Sequence, residues 1–224
     1  RATGWDPTLR VEIPKAHDVA ARVEATLDGP VGVANRIREL QEENSREEVA
    51  FQVAKEIAEG TLGNITDKEK AADKAVRVAL AILTESITAA PLEGISKVRI
   101  HDPKGTPYLA LYLAGPIRAA GGTEAAVTVL VADHVRQVLG LPAFVATEEE
   151  VERSLEEVEL YARSVHLQYP VHPELVRFAA KHLSIMLTGD PTEEFEVSAG
   201  RDLDRIETNR VRGGSVLVLN DGVV

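Results

Sequence analysis

Gly115 to Thr123 reads GPIRAAGGT, between a strand-like run and a long apolar stretch. A glycine-rich turn that opens a helix can cradle phosphate, because free backbone N–H groups and the helix dipole both favour an anion there. Two established arrangements are absent. The phosphate loop needs Gly, four residues, then Gly-Lys-Ser/Thr; here the lysine is missing and the spacing differs by one. The dinucleotide fingerprint G-x-G-x-x-G is also missing. What remains is Gly115 and Pro116 as turn formers, Gly121 and Gly122 as residues with backbone freedom, and Thr123 as the expected helix N-cap. Arg118 is the cation that an anion would meet. Glu124 suits the helix dipole but would repel a phosphate. Both a structural turn and an anion site fit these residues, and the missing lysine weighs toward the turn.

A second candidate is TNRVRGG, Thr208 to Gly214. Arg210 and Arg212 lie two apart, so on an extended segment they project together. The guanidinium fork matches phosphate or carboxylate, which makes Arg118, Arg210 and Arg212 the candidates for contact with DNA or a partner. The alternative is a solvated or ion-paired couple, with the acidic helix of the same chain as one source of carboxylates. Gly213 and Gly214 read as a turn. Asp202-Leu203-Asp204 would put two carboxylates on one face of a strand, as metal-dependent phosphoryl transfer sometimes requires. Arg201 and Arg205 flank the pair, however, and surface ion pairing explains it equally well. The six histidines form no H-E-x-x-H and no His-x-His, and G-x-S-x-G is absent. The residues alone therefore assign no catalytic group and no metal ligand.

These candidates need elements to hold them. The first half reads helical: Ala16–Leu27 and Val31–Leu40, split by Gly29-Pro30, then helices opened by capping boxes at Ser45/Glu48 and Thr66/Glu69. The latter helix carries an apolar stripe through Ala72, Ala75, Val76, Ala79, Leu80, Leu83 and Ile87, with Pro91 as its stop. ISKVRI and YLALYLAG read as two strands of an antiparallel hairpin. Thr123–Leu139 is a helix apolar nearly all round, so burial on several sides is expected. A third capping box, Thr147/Glu150, opens a helix with Val151, Leu155, Val158 and Ala162 inward and its glutamates outward. Glu174–His182 is a short helix, and SIMLTGD, EFEVS and SVLVLN read as strands. The expected fold is α+β: a helical N-terminal half packed with a mixed or antiparallel sheet. Residues 1–224 are expected to be one fragment of a longer chain, with a possible internal boundary near 91 between a helical part and an α/β part.

The totals agree. With 224 residues and 44% hydrophobic content, a sizeable core can form. Aromatics are 4%, so that core is chiefly Ala, Val, Leu and Ile. Cysteine is absent, which excludes disulfides and thiolate metal sites. No apolar run is long enough to span a membrane. The net charge of −11 disfavours nucleic acid on average, but Thr147–Leu160 alone carries seven Glu and one Arg, so a basic patch elsewhere stays possible. The first residues resemble neither a signal peptide nor a natural start, and the last stop just after a strand pattern. A fragment is expected.

The string LALYLAGPIRAAGGTEAAVTVLVADHVRQVLGL resembles the N-terminal region of the large subunit of archaeal family D DNA polymerases. Further segments match in the same order: VEIPKAHDVAARVE, GVANRIREL, AVRVALAILTESITAAPLEGISKVRI, TEEEVERSLEEVELYAR and RDLDRIETNRVRGGSVLVLNDGV. The resemblance runs from about Trp5 to Val223, and an ordered series of this kind is highly specific. It implies a part in DNA-templated DNA synthesis by a heterodimer, with the small exonuclease subunit and primer-template DNA as partners and a cytoplasmic location. It implies magnesium and zinc for the complete polymerase, held far beyond this region, and no cofactor within it. It also implies a non-catalytic scaffold or assembly role here, and so a structural reading of the Gly-Gly-Thr segment. The competing readings are a self-contained nucleotide- or phosphate-binding enzyme using Gly115–Thr123, and a protein-interaction domain without nucleic-acid contact.

Overall fold

Alanine and valine at helical spacing build the first layer. The computed structural model describes residues 18–21, 23, 29–84, 90–119, 121–165, 167 and 169–224. The helix expected over 16–27 lies mostly outside them. Helix α1 (Val33–Gln41) starts after Gly32, whose φ is +87°. Helix α2 (Arg46–Ala58) opens on the expected capping box: Ser45 accepts from the Glu48 N–H, and the Glu48 carboxylate accepts from the Ser45 N–H. Helix α3 (Lys68–Leu83) is capped by Asp67 rather than Thr66; its carboxylate accepts from the N–H groups of Glu69 and Lys70. An aspartate one step nearer the helix takes the role, and Glu69 is drawn away to the sheet. Helix α3 also stops at Leu83, before Pro91, which sits instead inside a short helix α4 (Ala90–Glu93). The stripes of α2 and α3 pack against each other through Val53, Ile57, Ala72, Val76 and Leu80.

The sheet has three strands in the order β1-β2-β3. Strands β1 (Ile95–His101) and β2 (Tyr108–Leu113) are the expected antiparallel hairpin, with Val98 opposite Leu111. Strand β3 (Met186–Gly189) joins β2 in parallel, Leu111 opposite Leu187. The sheet is therefore mixed, and β2 is buried along its whole length because it is covered on both faces and both edges. Side chains of α3 cover the outer edge of β1. Asp73 accepts from Val98 N at 3.2 Å and Glu69 from Ile100 N at 3.0 Å, while Arg77 donates to the carbonyls of Leu92 and Ile95. These bonds satisfy backbone groups that an open edge would offer to another strand.

Three helices make the crossover from β2 to β3: α5 (Gly121–Val138), α6 (Glu148–Val165) and α7 (Pro173–His182). The box at the start of α6 forms as expected, with Thr147 N donating to Glu150 and Glu150 N to Thr147. The C-terminal run departs from expectation. SVLVLN is helical, as α8 (Gly213–Leu217) continuing into a widened π-helical segment Val218–Val223 that lies along α5. Residues 213–220 are buried on all sides, and a run buried all round shows no period that separates strand from helix. EFEVS contributes a single bridge, Glu196 with Arg210, rather than a strand. Among the described residues one apolar core takes in residues from Ala20 to Leu219, on both sides of residue 91. A smaller cluster of Tyr108, Tyr112, Phe144, Met186 and Ile206 lies apart from it. The fold is α+β.

Candidate functional site

The acidic helix α6 turns Glu150, Arg153 and Glu157 inward, against the expectation that its glutamates face outward. Arg153 and Glu157 sit one turn apart, and their side chains are 0% and 1% exposed. Arg212, from the residue before α8, meets them with a side chain 3% exposed. Glu157 accepts from Arg153 Nε at 2.9 Å and from Arg212 Nη2 at 2.8 Å. The remaining donors are also used. Arg153 donates to the carbonyls of Gly200, Thr208 and Arg210, and Arg212 donates from Nη1 to Thr188 Oγ1 on β3. One carboxylate faces two guanidinium groups, and carbonyl dipoles offset the excess positive charge. A buried charge without such partners would cost several kcal/mol, so all three groups depend on one another.

Arg212 follows the ion-paired alternative, with the acidic helix supplying the carboxylate: it is an internal tie rather than a surface contact. It does not project with Arg210: the segment is not a regular strand, and the carboxylate of Glu157 draws Arg212 inward. Arg210 stays half-exposed and pairs with Glu194. Arg118 is exposed in a 3-10 turn, Gly115–Ala119, that also holds Gly115 and Pro116. Gly121 opens α5 with φ +73°. The helix begins there, so Thr123 lies inside its first turn and is not the N-cap.

The glycines are explained by close approach. A Cβ on Gly122 would collide with the Asp221 carbonyl, and one on Gly213 with Thr192 Oγ1 and Tyr161. Gly213 N donates to that same Thr192 oxygen at 2.9 Å. Gly214 lies against the backbone of Leu113 and Ala114 at the end of β2. The space between the loop and the C-terminal segment is about 20 Å³, and Asp221 lines it together with Arg118. Nucleotide sites run to several hundred Å³, and a carboxylate in the wall opposes an anion. The Gly-Gly turn thus seats one helix on another.

A second cavity of about 40 Å³ lies between α6, β3 and α8, lined by Glu150, Ser154, Glu157, Arg212 and Ser215. Ser215 Oγ is buried there without a hydrogen-bond partner. The room is on the scale of about one or two waters.

Asp202 and Asp204 lie in a loop rather than on a strand. Asp202 has φ +53° and is held by Asn209, whose Nδ2 donates to its carboxylate. Arg201 and Arg205 pair elsewhere, with Glu196 and Glu150. Among the described residues no group of three His, Asp or Glu is placed to hold a metal ion. The described histidines make local contacts: His172 caps α7, His134 packs edge-on against Phe51, and His101 bonds to Tyr112. His17 and His166 lie outside the described residues. Tyr112 also donates to Glu207 at 2.7 Å. Burial, then that carboxylate, pushes its phenol pKa well up.

Sequence reasoning did not single out Arg153, Glu157 or Asn220. Asn220 bridges the C-terminal segment to the loop before α7: it accepts from Val171 N and donates to the Tyr169 carbonyl. Arg153 and Glu157 at helical i, i+4 spacing carry a local signal of pairing, but nothing local marks the pair as buried.

A family profile described as "DNA polymerase II large subunit DP2, N-terminal" matches residues 1–224. The DNA polymerase II large subunit of Pyrococcus horikoshii is 52% identical over 228 residues, covering 100% of this chain and 16% of that protein. That of Methanothermobacter thermautotrophicus is 51% identical, with 100% of this chain and 21% of the relative covered. That of Thermococcus kodakarensis is also 51% identical, with 13% of the relative covered. The chain thus spans between 13% and 21% of these relatives' length. No helix among the described residues is long and apolar enough to cross a membrane.

Proposed function

Because the chain belongs to the DNA polymerase II large subunit family, as its N-terminal region, we propose that it is a non-catalytic scaffold and assembly region of an archaeal replicative DNA polymerase. The whole enzyme is a heterodimer of the family D type, which adds nucleotides to a primer on a DNA template and pairs this subunit with a small exonuclease subunit. Magnesium and zinc belong, on this reading, to other regions of the complete subunit. The observation that carries it is the burial of Arg212 against Glu157: a residue with phosphate-binding chemistry is committed to holding α6, β3 and α8 together. The Gly-Gly turn supports the same reading, since helix packing accounts for it.

A second reading keeps a minor DNA contact. Arg118 is exposed and has no ion-pair partner among the described residues, and Arg210 is half-exposed. The test is an Arg118→Ala/Arg210→Ala polymerase, reconstituted from full-length subunits. Incorporation rate and assembly are expected to stay within about twofold of wild type. A DNA contact would show as weaker binding with a salt slope shallower by about one per phosphate lost. A roughly hundredfold fall in single-turnover incorporation, with assembly intact, would contradict the scaffold reading.

A further inference from the structure

Ser215 lies in α8 and is 6% exposed. Its Oγ is the one buried side-chain nitrogen or oxygen without a hydrogen-bond partner among the described residues. Native folds rarely leave such a group unanswered by protein or ordered water. A serine in a helix commonly donates to the carbonyl four residues earlier, as Ser154 does to Glu150 at 2.9 Å. For Ser215 that carbonyl is Val211, which lies outside α8 and already accepts from Thr192 N at 3.1 Å. The hydroxyl lines the cavity of about 40 Å³ between α6, β3 and α8 instead. Glu150 and Glu157 bring carboxylates to the same wall, Ser154 an oxygen whose hydrogen is committed elsewhere, and Arg212 a guanidinium; the remainder is apolar.

That wall selects its occupant. An anion would meet two carboxylates, a cation would meet Arg212, and an apolar molecule would leave Ser215 unanswered. A small neutral molecule that both donates and accepts satisfies every group, and the volume limits it to the size of water. We propose that an ordered water is bound here, bonded to Ser215 Oγ and to an oxygen of Ser154, Glu150 or Glu157, and that it ties α8 to α6. Ser215 follows Arg212 by three residues and Ser154 precedes Glu157 by three. The water bridge therefore lies about one helical turn from the Arg212–Glu157 pair on both helices. It gives the same two elements a second fixed point, which a single ion pair lacks.

The test uses the polymerase assembled from full-length subunits, in two measurements. The first is a crystal structure at a resolution that shows ordered waters, repeated after a bromide soak. The expected result is a peak within hydrogen-bond distance of Ser215 Oγ and of one oxygen on α6, with no anomalous signal from bromide. A cavity without a peak, or one that takes up bromide, overturns the proposal. The second is amide hydrogen exchange of the peptides spanning residues 148–165 and 213–223 in Ser215→Ala. Here the sign decides, because a bridged hydroxyl holds the helices together whereas an unbonded one weakens them. Exchange is expected to quicken by about threefold, the loss of one hydrogen bond set against alanine's better helix propensity. Unchanged or slower exchange overturns the bridge. None of these outcomes touches the scaffold reading, which incorporation and assembly decide.

Discussion

The helical layer of α2 and α3 and the closure around α6 to α8 are held by different means. Between α2 and α3 the contacts are Ala, Val, Ile and Leu, placed by a 3.6-residue period within each helix. Around α6 the same apolar packing is pinned by Arg153, Glu157, Arg212, Thr188 and Asn220, whose partners lie far along the chain. Apolar packing is graded, since losing one methyl costs in proportion to what is lost. A buried ion network is closer to all-or-none, because removing one member strands the others in a poor solvent. The first device suits a layer that only has to be stable. The second fixes which loop meets which helix.

Breaking the network should produce the largest effect. Glu157→Gln leaves two guanidinium groups buried without a counter-charge and is expected to cost about 3–5 kcal/mol, read as a lower urea midpoint. In the helical layer, Leu80→Ala, at 0% exposure, is expected to cost about 2–4 kcal/mol while keeping a cooperative transition. Thermal and urea unfolding of the two variants side by side would sharpen the contrast. Glu157→Gln as well tolerated as a surface change, within about 0.5 kcal/mol of wild type, would erase it.

The smallest effect belongs to an ion pair in the helical layer. Arg36 chelates Glu56, its Nη2 at 2.8 Å from Oε1, and this bond holds the Glu56 carboxyl below its ordinary 4.5. A lowered folded pKa adds stability above the unfolded value and loses it as pH falls through the folded one. Glu56→Gln is therefore expected to be less stable than wild type near pH 6, by about 1 kcal/mol or less. The gap should narrow as the pH falls below 4.5 toward the lowered folded value. A gap that widens at low pH would reverse the assignment.

This contrast also explains what the sequence could reveal. The capping boxes at Ser45 and Thr147, the stripe of α3 and the β1–β2 hairpin were legible because each is written within a few residues. Thr66 misled because Asp67 stands beside it and Glu69 finds better partners, Ile100 N and Arg99, on β1. The run SVLVLN misled because complete burial removes the alternation that marks a half-exposed strand. Arg212 was legible in part: ion pairing with the acidic helix stood as the alternative to a shared face with Arg210, but no local pattern picked out Glu157 as the partner. The Gly-Gly turn was legible as a turn, but its reason, the approach of the Asp221 carbonyl, lies in the tertiary fold.

The most direct measurement is urea unfolding of Arg212→Met. Methionine keeps part of the volume and removes the charge, leaving Thr188 and half of the Glu157 pairing unmet. A loss of about 3 kcal/mol or more, with DNA binding of the assembled polymerase unchanged in salt slope, is the expected result. A loss within about 0.5 kcal/mol, accompanied by weaker DNA binding, would mean that the guanidinium is free to meet a phosphate and that the buried tie is not what holds this region together.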